Sequence, residues 1–257
     1  MLSEDALVPD QRTHRGPHPE DASLFAPEML PALRAAVGDL SWLLSRGYTT
    51  PSALKLVGDR YTLTERQRIG VARCACSDAA RARRAARCAD VEAATGAIVF
   101  IDGYNLLTTI EAALGHGVIL AARDSAYRDM ASMHGTWRKV AETGPALTLI
   151  GQRLAELGCG EAVWYFDSPV SNSGRLKTLV RETAQAHRWN WTVELVKDPD
   201  PVLIESGGLV VSADSAILDG CTAWLNLARD IIARSVPAAH VVDLSDPGTT
   251  AEDPAKR

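Results

Sequence analysis

The chain has 257 residues, with 32 acidic side chains against 27 lysines and arginines and a net charge of −5. That length supports one sizeable core, or a domain with a small appendage, without covalent staples. The acidic balance excludes a chain that binds polyanions over its whole surface, so any nucleic-acid contact has to be local. Five widely spread cysteines, and no positively charged, apolar leader, indicate a reducing, cytoplasmic setting with mostly buried thiols. No stretch reaches the roughly 18 to 20 apolar residues that span a bilayer, so no membrane contact is expected.

Residues 1–26 mix Pro9, Gly16, Pro17 and Pro19 with many charges and show no apolar period. A disordered arm is expected there, and a flexible tail over 246–257. Leu30, Leu33, Val37, Leu40, Leu43 and Leu44 recur at helical spacing, with Gly47 placed for a left-handed C-cap. Pro51 suits the first turn of a second helix, and Thr64 with Gln67 forms a capping-box signature for a third. These helices delimit a basic module over 27–92.

The third helix is expected to run on, because Arg60 to Cys88 holds eight arginines and two acids, Glu65 and Asp78. Such a stripe is either a solvated helix face or a phosphate-binding surface, in which Arg66, Arg73, Arg81 and Arg84 are the candidates. Cys74, Cys76 and Cys88 lack a fourth ligand at zinc spacing.

From Ala97 the pattern becomes short β-rich runs separated by amphipathic stretches, the signature of βαβ units around a parallel sheet over 97–245. Five strands are expected at Ile98–Ile101, Ala162–Phe166, Thr192–Val196, Leu209–Val211 and His240–Val242. Helices are expected around Leu106–Leu114, Ala121–Glu142, Leu147–Leu157, Leu176–His187 and Ala216–Arg234. Trp191 reads as core or sheet-edge packing and Trp189 as a base-stacking candidate, while a lone His134 is more often structural than catalytic.

Ligands of open parallel sheets bind beyond the carboxyl ends of the strands. Here those ends are repeatedly acidic: Asp102 after the first run, Asp167 after the second, Asp198 and Asp200 after the third, Asp214 after the fourth and Asp243 after the fifth. One such aspartate reads as a helix cap. Several converging on one edge repel one another unless a cation or shared protons neutralise them, and oxygen-only ligands select Mg2+ or Mn2+. The Ser168–Gly174 loop, with Ser171 and Ser173, precedes a helix and offers an anion site on the same rim. Glu111 is either a further ligand or a solvent-facing side chain.

Ile101-Asp102-Gly103-Tyr104-Asn105, Ala122-Arg123-Asp124, Phe166-Asp167 and Ser212-Ala213-Asp214, in that order, resemble the PIN-like superfamily and within it the NYN ribonuclease branch. The chain also resembles an uncharacterised prokaryotic family that joins a small helical amino-terminal domain to a PIN-like domain, through Gly47-Tyr48, Leu56-Val57-Gly58-Asp59-Arg60-Tyr61 and Pro169-Val170-Ser171-Asn172-Ser173-Gly174. The superfamily resemblance implies a five-stranded parallel sheet of order 3-2-1-4-5 flanked by helices. It also implies carboxylates holding one or two Mg2+ or Mn2+ ions that activate water against an RNA phosphodiester. Carried over by position, it implies catalytic roles for Asp102, Asp124, Asp167 and Asp214. Metal ligation would then involve Asp102, Asp167, Asp214 and Asp200, with Asn105 and Ser212 as polar supports. Arg123 and Arg128 become further phosphate-binding candidates. The Asp198-Pro199-Asp200-Pro201 segment departs from the branch, which usually places its acid at the start of a helix. Two alternatives stay open, a catalytically weak module that binds RNA or protein, and a small-molecule phosphatase on the same sheet.

Overall fold

The structure, a computed structural model, describes residues 14–131 and 135–245; residues 1–13, the tail 246–257 and His134 lie outside the described residues. A short α1 (Asp21–Leu24) leads to α2 (Leu30–Ser45), which buries Leu33, Ala36, Val37 and Leu40 as one helical stripe. Gly47, at φ +82°, closes α2 with its N–H on the Leu44 carbonyl at 3.1 Å. In α3 (Thr50–Arg60), Pro51 occupies the first turn. Next, α4 (Glu65–Cys74) opens with a complete capping box, the Thr64 hydroxyl accepting from the Gln67 N–H and the Gln67 side chain accepting from the Thr64 N–H. The expected continuous basic helix does not form. It stops at Cys74 and restarts as α5 (Asp78–Arg87), because the Ser77 hydroxyl accepts from the Ala80 N–H and caps a new helix.

The remainder runs β1 (Cys88–Ala89), β2 (Ile98–Asp102), α6 (Gly103–Leu114), β3 (Val118–Ala121), β4 (Tyr127–Asp129), α7 (Thr143–Glu156), β5 (Glu161–Asp167) and α8 (Ser173–His187). It continues with β6 (Trp191–Val196), α9 (Pro199–Glu205), β7 (Leu209–Val211), α10 (Ser215–Gly220), β8 (Ala223–Leu225), α11 (Leu227–Ser235) and β9 (His240–Asp243). Six strands form one parallel sheet in the order β1-β8-β7-β2-β5-β6, and β4-β3-β9 form a second, small sheet. The molecule is therefore α/β with a helical amino-terminal region.

Two expectations are corrected. The anticipated helix Ala121–Glu142 opens as a hairpin, with β3 antiparallel to β4 around Ser125 at φ +69°. All four β3 residues are buried, and a strand buried on both faces carries no alternation to separate it from a helix. The anticipated helix Ala216–Arg234 is broken in the middle, because Trp224, fully buried, enters the sheet with β8 and donates its indole N–H to the Arg84 carbonyl at 2.7 Å. β8 thus takes the place beside β7 expected for His240–Val242. That segment, as β9, pairs with β3 instead, so the single five-stranded sheet becomes a six-stranded sheet and a small one.

The main core packs Val99, Ile101, Trp164 and Phe166 of the sheet against α6, α7, α8 and α11. Trp191 stacks between Trp189 and Trp164, in the packing role. A second core joins Leu33, Val37 and Leu40 of α2 with Val118 and Leu120 of β3 and Val242 of β9. The basic helical region and the small sheet share this core, so the helices are not an isolated bundle. The five thiols are unbridged, with Cys74, Cys76 and Cys221 buried. Among the described residues no helix is long and apolar enough to cross a membrane.

From residue 14 the expected disordered arm is packed. Phe25 enters the second core at 2% exposure, and Asp21 is buried under Arg66, whose Nη2 donates to it at 2.8 Å. Arg15 lies on Glu111, which is fully buried and accepts from the Thr143 hydroxyl at 2.6 Å rather than facing solvent. Replacing Phe25 by alanine is expected to cost about 3–5 kcal/mol in urea unfolding. An unchanged midpoint would return residues 14–26 to the status of a loose arm.

Candidate functional site

Because neighbouring strands run parallel, the carboxyl ends of β5, β2 and β7 share one edge, about 4.8 Å from strand to strand. Asp102 ends β2, Asp167 ends β5 and Asp214 follows β7, so the sequence-predicted acids do converge. Asp200 joins them. Asp198 caps α9 through the Asp200 N–H at 3.2 Å, with Pro199 at the first helical position, so the proline-bound segment does form the helix.

Asp102 is anchored from two elements. It accepts from the Ser212 hydroxyl at 2.8 Å and from the Asn105 N–H at 3.4 Å. Asn105 in turn accepts the Ala213 N–H at 2.8 Å, and the Ser212 hydroxyl oxygen accepts the Asp214 N–H at 3.0 Å. The two expected polar supports therefore fasten the β7 end to the β2 end. On the other side, Gly103 lets the start of α6 lie close over β5, since a Cβ there would stand 2.3 Å from the Phe166 ring. Asp214 also caps α10, accepting from Ala216 and Ile217, so the cap reading and the site reading apply to the same side chain.

The edge is electrostatically frustrated. Burial pushes the Asp102 carboxyl up from 3.8 to about 7, the bonds from Ser212 and Asn105 oppose this, and Asp214 and Asp200 add to it. Burial, then Asp214, Asp198 and Asp167, raises Asp200; burial and Asp198 raise Asp167. No described basic side chain stands within ion-pair distance of Asp102, Asp167, Asp200 or Asp214. The Tyr104 hydroxyl, within the field of Asp167, is buried without a hydrogen-bond partner among the described residues.

This donor set is all oxygen, which suits a hard divalent cation. Among the described residues no three His, Cys, Asp or Glu side chains are close enough to hold a metal together. A divalent cation held there would have to take one or two carboxylates and keep most of its waters. Beside the edge lies a groove of about 450 Å3, with Asn105 and Asp214 on one side, Leu54, Ile69 and Arg73 of the helices on the other, and Asp129 between.

Asp124 behaves differently. It sits in the β3–β4 turn, 1% exposed in its side chain, and accepts from Arg84 at 2.6 Å and Arg128 at 2.7 Å. Those contacts hold its carboxyl below the usual range against the opposing effect of burial. It is a structural anion and not an open ligand, which corrects the catalytic role expected of it. Arg84 and Arg128 are likewise buried, and Arg66 is committed to Asp21, so these three are not a phosphate-binding surface. Arg73 donates to the carbonyls of Asp129 and Ala131, and Arg123 to Asp78; of the six candidate arginines, Arg81 alone is exposed without an ion pair to a described residue.

The Ser168–Gly174 loop is similarly engaged. The Ser171 N–H donates to Gly135, the buried Ser173 hydroxyl to Ser168, and the Asn172 side chain to the Trp137 carbonyl. These bonds leave little of the expected anion cradle. Asp129, buried and accepting from Thr109 at 2.8 Å, is the groove residue that sequence reasoning missed. Its signal was the Asp124-Ser125 turn between two apolar stretches, which reads as a hairpin once a helix is not assumed.

Removal of Asp124 would strand two buried guanidinium groups. Asp124→Ala is expected to lose about 3–5 kcal/mol of folding stability in chemical denaturation, far beyond a lost surface pair.

Over residues 32–87 the chain matches a family described as a protein of unknown function (DUF434). It is 28% identical over 187 residues to an uncharacterized protein of Methanocaldococcus jannaschii, a match covering 73% of this chain and 89% of that relative. No solved structure matches. Residues 91–230, which carry Asp102, Asp167, Asp200 and Asp214, match the model described as a domain of unknown function (DUF5616), and the chain belongs to that family.

Proposed function

We propose that the chain hydrolyses RNA phosphodiester bonds at the acidic strand edge with Mg2+ or Mn2+. The observation that carries this reading is the gathering of Asp102, Asp167, Asp200 and Asp214 at one carboxyl edge without a basic partner among the described residues. By contrast, Asp21, Asp124 and Asp230, buried or half-buried elsewhere in the chain, are each met by an arginine.

Asp102 and Asp214 are the residues that would hold the ion, with Ser212 fixing the orientation of the first and the α10 cap that of the second. A divalent cation there supplies Lewis-acid activation of water and neutralises charge on a phosphate. Asp167 and Asp200, both raised in pKa, would be the groups that accept a proton as water is deprotonated. Ile69, 38% exposed, and Leu54 provide an apolar wall for a nucleobase on the far side of the groove. The resemblance to the NYN branch supports RNA as the substrate class.

A second reading, a module that binds without cleaving, is favoured by the lack of a three-ligand cluster among the described residues. Labelled RNA incubated with and without Mn2+ separates the two. Manganese-dependent cleavage that Asp102→Asn abolishes supports the first reading; intact RNA retained on the protein supports the second. The phosphatase alternative loses most of its basis with the engaged Ser168–Gly174 loop.

Folding raises the Asp102 pKa, so between about 4 and about 7 the folded chain holds a proton that the unfolded chain has released. Stability of the metal-free protein therefore falls as pH rises through that window and levels off above it. Asp102→Asn is expected to flatten this slope and raise the melting temperature at pH above about 7. An unchanged slope in the variant would show that Asp102 is not the frustrated group.

A further inference from the structure

A second groove, of about 750 Å3, opens at the carboxyl ends of β3 and β9 and shares no lining residue with the groove at Asp214. Arg81 of α5, Arg123 of the β3–β4 turn and Arg229 of α11 line it, against the single carboxylate of Asp243. We propose that this groove binds the phosphate of a nucleotide, free or within an RNA strand.

Three guanidinium groups from separate elements converge here in a chain of net charge −5, so the positive field is local. Guanidinium forks match phosphate oxygens in pairs, which an ammonium cannot do. Arg123 is half-prepared for such a ligand. Its side chain is 11% exposed, its terminal nitrogens donate to the Cys76 carbonyl at 2.9 Å and to Asp78 at 2.6 Å, and its Nε is buried without a partner among the described residues. A buried donor left unpaired is costly, and a ligand oxygen would satisfy it.

Arg81 is exposed and forms no ion pair with a described residue, so its donors are available. Arg229 lies over the Tyr127 ring, 5.7 Å from its centroid, and beside the Ser125 carbonyl at 3.5 Å. A cation beside an aromatic face offers a stacking platform next to a phosphate contact. Asp243 stays ionised, its carboxyl accepting from the Ser245 hydroxyl at 2.6 Å and the Ser245 N–H at 2.9 Å, but even with Asp78 on Arg123 the three guanidinium groups outnumber the carboxylates. The groove opens at the carboxyl ends of the parallel pair β3 and β9, and its volume falls in the range of small-molecule ligand pockets.

The inference does not rest on cleavage at the acidic edge, so its test measures binding alone. Adenosine monophosphate and a short labelled RNA are titrated into the full chain in EDTA, at about 50 and about 200 mM salt. Binding that weakens with salt, and weakens at least tenfold in the Arg81→Ser, Arg229→Gln double variant at unchanged melting temperature, is the expected result. Binding by the nucleotide, by the RNA or by both identifies the source of the phosphate, and each supports the site. Equal affinity of the double variant and the parent chain, or no binding of either probe, overturns it.

Discussion

Asp124 lies between two guanidinium groups that come from distant parts of the chain, Arg84 on α5 and Arg128 on β4, and all three are almost fully removed from water. Burying those charges would be prohibitive unless every one were paired. Here each is: Arg84 also reaches Asp219, which Arg83 meets as well, and the Ala126 N–H donates to Asp124 at 3.3 Å. The same arginines reach the β7–α10 loop. Arg128 Nε donates to the Ala213 carbonyl at 2.8 Å and Arg84 Nη2 to the Ser215 carbonyl at 3.3 Å, on either side of Asp214. One ionic network thus holds the helical region, the small sheet and the acidic edge in register.

That network divides the aspartates into two kinds. Asp21, Asp124 and Asp230 are covered by arginines and act as structural anions. Asp102, Asp167 and Asp200 sit among one another, and burial together with like charge raises their pKa values. The first kind stabilises contacts between separate elements, as Asp21 of α1 does with Arg66 of α4. The second kind opposes folding unless a proton or cation joins it, and such stored repulsion is characteristic of functional sites. Asp124 and Asp214 are similar in sequence, each beside a turn; only the company each keeps after folding tells them apart.

The two grooves differ in their charge. The groove at Asp214 brings Asp129 and Asp214 together with Arg73 and Arg128 and an apolar wall from α3 and α4, whereas the groove at Arg123 sets three guanidinium groups and an aromatic ring against Asp243. Both depend on the shared core that fastens α2 to β3 and β9, because that core sets the helices against the acidic edge and places α5 beside the small sheet. A helical region with its own separate core would leave each groove with one wall.

Much of this was legible in the sequence. Periodicity and capping signals located α2, α3 and the start of α4, because those depend on residues three or four positions apart. Apolar runs ending in acids located β2, β5, β6 and β7 and hence Asp102, Asp167, Asp200 and Asp214, since strands that are parallel neighbours must place their ends together. What the sequence could not decide was pairing across distance. The fate of Ala121–Glu142 turned on β3 finding β9, more than a hundred residues later, and that of Ala216–Arg234 on Trp224 finding room beside β7. Arginines on a basic helix look alike in sequence, yet Arg84 is buried on Asp124 and Arg81 faces water. Local composition determines which groups are charged and which stretches are apolar. Tertiary structure alone decides which charges lose their water, and the cost of that loss makes one arginine a structural tie and leaves its neighbour open to a ligand.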